Sequence, residues 1–144
     1  MREAVIVSTA RTPIGKAFRG AFNNTQAQEL GAHAILNAVQ RAGIDPALVE
    51  DVVIGCAAQQ GTSGGNTARQ SLLRAGLPVT VSGMTIDRMC SSGLMAIATA
   101  AKQVVVDGMQ VTVGGGLESI SLVQAGKPNT HRARDPYLME HIPA

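Results

Sequence analysis

Aromatic side chains are almost missing from this chain of 144 residues, which has two phenylalanines, one tyrosine and no tryptophan. Unpaired bases stack on aromatic faces, so the chain is poor material for a nucleic-acid platform. Charge is sparse too. Twelve basic and ten acidic residues leave a net charge of +2, too little to recruit a polyanion by its field alone, and no nucleic-acid partner is expected. The two cysteines, Cys56 and Cys90, stand 34 positions apart. With no CxxC and no paired His or Cys at ligand spacing, neither a metal centre nor a disulfide framework is expected. The longest apolar run, 94–106, is 13 positions and is broken by Lys102 and Gln103. A bilayer needs roughly 20, so no membrane span is expected. Met1, Arg2 and Glu3 lead directly into an apolar run at 4–7, with nothing resembling a leader, and a reducing, cytoplasmic setting is the expectation.

What the chain has in quantity is small and aliphatic. Hydrophobic residues make up 45% and glycines number 16, a composition suited to closely packed α/β layers in one domain. Residues 4–8 read as a short, doubly buried strand of the parallel-sheet kind. A glycine-punctuated loop follows, then a helix over 25–42, with Leu30, Ala34, Ile35, Ala38 and Val39 on its buried stripe and Gly43 as its stop. A strand at 52–56, a polar loop at 57–65 and a second helix over 66–74 come next. Asn66 or Ser63 caps that helix and Gly76 ends it. Residues 79–89 read as a strand, 94–106 as a helix that is apolar nearly all round, and 110–113 as a further strand. Strand and helix alternating this often predict an α/β fold with a parallel sheet. Beyond Gly116 no period holds, and the segment 127–136 is basic and loop-like.

Cys90 lies where the 79–89 strand gives way to the apolar helix, among the small residues Ser91, Ser92 and Gly93. A helix N-terminus offers unpaired N–H groups and a partial positive charge. Such a setting favours a thiolate and can hydrogen-bond an oxyanion forming beside the sulfur. A buried structural cysteine is the other reading, and geometry alone leaves both open.

Four stretches in order resolve the choice. MTIDRMCSSGL at 84–94 resembles the nucleophile signature of the thiolases, VSTARTPIGK at 7–16 their N-terminal strand and loop, and NTARQ at 66–70 and GGGLESIS at 114–121 two further family segments. The resemblance implies a layered thiolase-like α/β fold with a mostly parallel mixed sheet, of which this chain has the N-terminal half only. Residues 1–118 would be the first half and 119–144 the start of an inserted loop domain, apparently truncated. It further implies an acyltransferase that forms or cleaves 3-ketoacyl-CoA (acetoacetyl-CoA or longer) through an acyl-thioester on Cys90, whose backbone N–H would serve the oxyanion. Acyl-CoA and coenzyme A would be substrates, with no resident cofactor, and a homodimer or dimer of dimers is implied. The family's second cysteine, active-site histidine and water-orienting asparagine belong to the later half. Relatives with the same hinge cysteine, the decarboxylating ketoacyl synthases and hydroxymethylglutaryl-CoA synthases, are the alternative, as is an incomplete fragment that only folds or dimerises.

One departure stands out. Asp87 occupies a position where the family commonly has asparagine, and an unpaired carboxylate there would oppose the thiolate; Arg88 would offset it only if the two side chains met. The remaining candidates read blandly. His33 is a helix residue, His131 and His141 are terminal loop residues, and Lys127, His131, Arg132 and Arg134 form an exposed basic run that could also meet CoA phosphates. Gly114, Gly115 and Gly116 do not spell a dinucleotide fingerprint and read instead as close backbone packing. Cys56 reads as a small core residue.

Overall fold

In the computed structural model, which describes residues 2–124, the strand β1 (Asp51–Gly55) is buried at every position. Burial of that kind requires neighbours on both edges and cover on both faces. The edges are filled by β2 (Ser82–Ile86) and β3 (Thr112–Gly116), both parallel to β1, in the order β2-β1-β3. Val53 stands opposite Met84 on one side and Gly114 on the other.

Side chains alternate along a strand, so Val52 and Ile54 enter one layer and Val53 the other. Val52 and Ile54 pack with Ile35, Val39, Leu72 and Val81, from the side of α1 (Ala27–Ala42) and α2 (Thr67–Arg74). Val53 packs with Ala96 and Ala100 of α3 (Ser92–Lys102). The layering is therefore α1 and α2, sheet, α3, the α/β arrangement expected from the sequence, and all three described strands are parallel. A fully buried aliphatic side chain contributes roughly 1.5–3 kcal/mol. The α1–α2 side buries eleven core residues and the α3 side three, so most of that stabilisation lies away from the cysteine hinge.

Small residues let α3 sit close on the sheet. A Cβ on Gly55 would overlap the Ser92 carbonyl, and one on Gly116 would come within 2.9 Å of the Gly93 Cα. Gly114 likewise faces α3, with the Ile97 Cα 2.8 Å from where its Cβ would be. The 114–116 run thus serves close backbone packing, as its composition suggested, but inside β3 rather than after it. The outer face of α3 is open: Leu94 is 72% exposed and Ile97 43%. A π-helical turn (Gln103–Asp107) extends the helix, beginning where the buried Gln103 amide donates to Asp51 Oδ2 at 2.6 Å. From Met89 to Asp107 the stretch is 19 residues, by length and composition enough to cross a membrane. That is longer than the 13-residue run visible in sequence. Here its Ala96 and Ala100 stripe is seated on the sheet.

Three expectations need correction. Residues 4–8 are not a strand: Val5, Ile6 and Val7 are 73–77% exposed. The segment is tied on by Arg2 to the Gly108 carbonyl and by Arg41 to the Thr9 carbonyl, and neither a sheet edge nor a covering layer reaches it. The 79–89 strand is shorter than its β-branched residues suggested. Val81 N–H closes a turn onto Pro78, and the Arg69 guanidinium holds the carbonyls of Val79 and Val81. The last strand begins later than 110–113 and runs on through three glycines, because contact with α3 outweighs their low strand propensity.

Candidate active site

Residues 87–92 turn the chain sharply between β2 and α3, and the turn is strained. Met89 has φ +50°, a left-handed backbone that costs a residue with a side chain roughly 1–2 kcal/mol. Several hydrogen bonds surround it. Asp87 Oδ1 accepts the Met89 N–H at 2.7 Å, and the buried Ser92 hydroxyl donates to the Met89 carbonyl at 2.6 Å while accepting the Arg88 N–H at 2.8 Å. At roughly 0.5–1.5 kcal/mol net each, three such bonds are enough to offset the strained backbone. Cys90 follows Met89 directly and is exposed, one position before Ser91, which precedes the first helical residue Ser92. The thiol therefore stands at a helix N-terminus, as the sequence implied, and it is accessible rather than buried.

The Asp87 carboxylate is hydrogen-bonded but has no cationic partner among the described residues. It is bonded to Met89 N–H and lies 3.4 Å from the Ser92 hydroxyl, and among the described residues it makes no ion pair with Arg88. The missing side chain of Gly93 points at Gly116, with Gly116 Cα 3.6 Å away. A large residue there would lever α3 off β3 before it crowded a ligand at Cys90.

The second cysteine has the opposite character. Cys56 is fully buried and its thiol lies 3.6 Å from Glu118 Oε1. Burial first, and then the charge and hydrogen bond of Glu118, push its pKa up from 9.0 to about 12. It stays a neutral thiol at physiological pH, in keeping with a core role. Glu118 also accepts the N–H groups of Ala57 at 3.1 Å and Ala58 at 3.0 Å, pinning the loop after β1 to the segment after β3. Glu118 lies within the 114–121 motif, and the sequence alone assigns it no role. The available signal was a lone carboxylate just beyond a glycine-rich strand end.

A cavity of about 640 Å³ opens between the 10–17 loop, Leu30 and Ala34 of α1, and the segment 116–121. A shallower one of about 300 Å³ lies along α3 beside Arg88, Leu94 and Met95. Cys90 lines neither. His33 is on the exposed side of α1 against Asn37, far in sequence and layer from the hinge. Lys127, His131, Arg132, Arg134 and His141 fall outside the described residues, as does nearly all of the expected 119–144 segment; its described start holds a short helix, α4 (Ile120–Gln124). Among the described residues no group of His, Cys, Asp or Glu is placed to hold a metal.

This arrangement has known counterparts. The chain is 43% identical over 123 residues to a 3-ketoacyl-CoA thiolase of Bacillus subtilis, a match covering 85% of this chain and 32% of that protein. It is 46% identical over 125 residues to an acetyl-CoA acetyltransferase of Paracoccus denitrificans, covering 85% of this chain and 31% of the other. A crystal structure of the Bacillus anthracis acetyl-CoA acetyltransferase superposes with a TM-score of 0.78 at 43% identity, over 84% of this chain and 30% of that one. The chain thus spans about a third of the length of the curated relatives it matches. The sequence profile described as the thiolase N-terminal domain matches residues 4–141, and the chain belongs to the thiolase family.

Proposed function

We propose that the protein of which this chain forms the N-terminal domain is a thiolase-type acyltransferase, with Cys90 as its nucleophile. The observation that carries the reading is the exposed thiol at the strained entrance to α3, beside a second cysteine that is buried and held neutral. In the degradative direction the Cys90 thiolate adds to the 3-keto carbon of a 3-ketoacyl-CoA. The C2–C3 bond then breaks, its electron pair leaving on the acetyl-CoA fragment as an enolate that takes up a proton. The thiolate of free CoA attacks the acyl-Cys90 thioester and returns the cysteine as thiolate. In the synthetic direction the Cys90 thiolate takes acetyl from acetyl-CoA and expels CoA thiolate. A second acetyl-CoA loses its α-proton, and the resulting enolate attacks the acetyl-Cys90 thioester, forming acetoacetyl-CoA and returning the Cys90 thiolate. Covalent capture divides one difficult step into two, and the Cys90 backbone N–H is one donor to the tetrahedral oxyanion.

Coenzyme A and acyl-CoA enter this scheme as substrates, with no resident cofactor. A cytoplasmic homodimer or dimer of dimers is the assembly that goes with it, and residues 119–144 would begin the loop domain. Relatives named both for 3-ketoacyl-CoA and for acetyl-CoA support the acyl-CoA class without favouring either direction. The test is incubation with acetyl-CoA followed by intact-mass and peptide measurement. One acetyl group on Cys90, absent in Cys90→Ala, is expected; acetylation elsewhere with Cys90 free would overturn the assignment.

A further inference from the structure

We propose that Asp87 and Ser92 are positioning residues that hold Met89 in its left-handed backbone and thereby aim the Cys90 thiol. The inference rests on Cys90 being the nucleophile, but its evidence is separate. Met89 is one of two described non-glycine residues with positive φ, the other being Phe18, and a side chain gains nothing locally from that conformation. What holds it is local and specific. Asp87 Oδ1 accepts the Met89 N–H, and the Met89 carbonyl accepts the Ser92 hydroxyl and the Ser92 N–H at 3.1 Å, so both peptide groups of the strained residue are gripped. The same hydroxyl accepts the Arg88 N–H. Ser92 is itself fixed, 4% exposed and seated where Gly55 lacks a side chain. The grip therefore transmits the position of the sheet to the turn. Because Met89 directly precedes Cys90, its backbone angles set the direction in which the Cys90 Cα–Cβ bond leaves the helix entrance. Released into an ordinary backbone region, Met89 would swing the thiol away from the exposed position it holds at the helix entrance.

This assigns Asp87 a purpose for its acceptor oxygen and none for its charge. Asparagine carries the same acceptor, so Asp87→Asn keeps the grip and Asp87→Ala loses it, while both remove the charge equally. The measurement is the rate of Cys90 alkylation by iodoacetamide at neutral pH and, in parallel, of its acetylation by acetyl-CoA, each read by peptide mass spectrometry. Circular dichroism melts confirm that every variant is folded. Asp87→Ala is expected to be about fivefold slower than Asp87→Asn, the worth of one net hydrogen bond. Ser92→Ala is expected to slow Cys90 in the same direction but by less, because the residue-92 N–H still holds the Met89 carbonyl, and the two changes together to cost less than their sum. Adding Met89→Gly to Asp87→Ala should restore the rate, because glycine adopts positive φ without penalty. Equal rates for Asp87→Ala and Asp87→Asn, or no rescue by Met89→Gly, would overturn the clamp. If clamp-dependent alkylation is seen and wild-type Cys90 takes no acetyl group, the acyltransferase reading fails and the clamp stands.

Discussion

The contrast between the two thiols can be given a number. Cys56 has a pKa pushed from 9.0 to about 12, so at neutral pH its ionised fraction is about a thousandfold below that of an ordinary thiol. Part of that is returned, because a more basic thiolate is a better nucleophile. With a Brønsted slope of about 0.45, three units give back roughly twentyfold. The net expectation is that Cys56 alkylates about fiftyfold more slowly than a small peptide thiol in the same tube, before its complete burial slows it further. Cys90 is exposed, so burial does not keep the reagent from it. The assay is competitive labelling with light and heavy iodoacetamide at pH 7.5, with both cysteine peptides followed over time. Replacing Glu118 by Gln removes a charge that raises the Cys56 pKa but leaves the larger cause, burial, in place. Glu118→Gln is therefore expected to speed Cys56 labelling and still leave it slower than Cys90. Cys56 labelling within a few-fold of Cys90 in the unmodified chain would refute the reasoning, since ionisation and burial act in the same direction.

Gly55→Ala should lower stability by about 1–3 kcal/mol, because the new methyl would overlap the Ser92 carbonyl and push α3 off the sheet; an unchanged thermal midpoint would show that contact to be slack. Alkali should unfold the protein by way of Cys56. Its folded pKa is raised, so its contribution is complete below pH 9 and is lost as pH climbs towards about 12. Denaturant titrations at pH 8 and pH 11 should find that Cys56→Ala loses less stability over that interval than the unmodified chain, and an equal loss would rule Cys56 out. Residues 1–144 alone should not turn over acetoacetyl-CoA and CoA, because a general base must lie within hydrogen-bond reach of the reacting proton and the one described histidine, His33, sits on the exposed side of α1. Repeated turnover that disappears in Cys90→Ala would place the base within this chain.

The features that sequence made legible are those decided locally. The stops at Gly43 and Gly76 both have positive φ, the one backbone state glycine alone occupies freely. Asn66 caps α2 by accepting the Arg69 N–H at 3.1 Å, as its position before an apolar period implied. The hinge at Cys90 was legible because β-branched residues stop, small ones intervene and an apolar helix begins. What the sequence hid depends on partners distant along the chain. Residues 4–8 have the composition of a buried strand, but composition cannot supply the second face that burial requires. The turn at 79–81 is set by Arg69, ten and twelve positions away. Glu118 meets its acceptor-seeking N–H groups about sixty positions upstream. In sequence Ser92 reads as a small spacer, because nothing in a run of Ser and Gly tells which hydroxyl will be buried.

The two cysteines flank a single contact, and that contact separates their chemistry. Cys56 follows Gly55 at the end of β1, and Cys90 comes two residues before Ser92, on which Gly55 packs. Drawing α3 down onto the strand ends requires glycine at 55 and 116, whereas Cys56, one step on in the alternation, turns away from α3 and is buried with its thiol 3.6 Å from Glu118 Oε1 and its N–H bonded to the Ile86 carbonyl at 3.0 Å. A chain leaving β2 at Ile86 must then reverse within five residues to begin α3 at Ser92. On that short path Met89 takes a left-handed step, held by its bonds to Asp87 and Ser92, and Cys90 directly after it is exposed. Burial beside Glu118 makes one thiol inert, and the turn into α3 leaves the other exposed. A longer connection between Ile86 and Ser92 would relax Met89 and lose the outward aim of Cys90 while leaving Cys56 as buried as before.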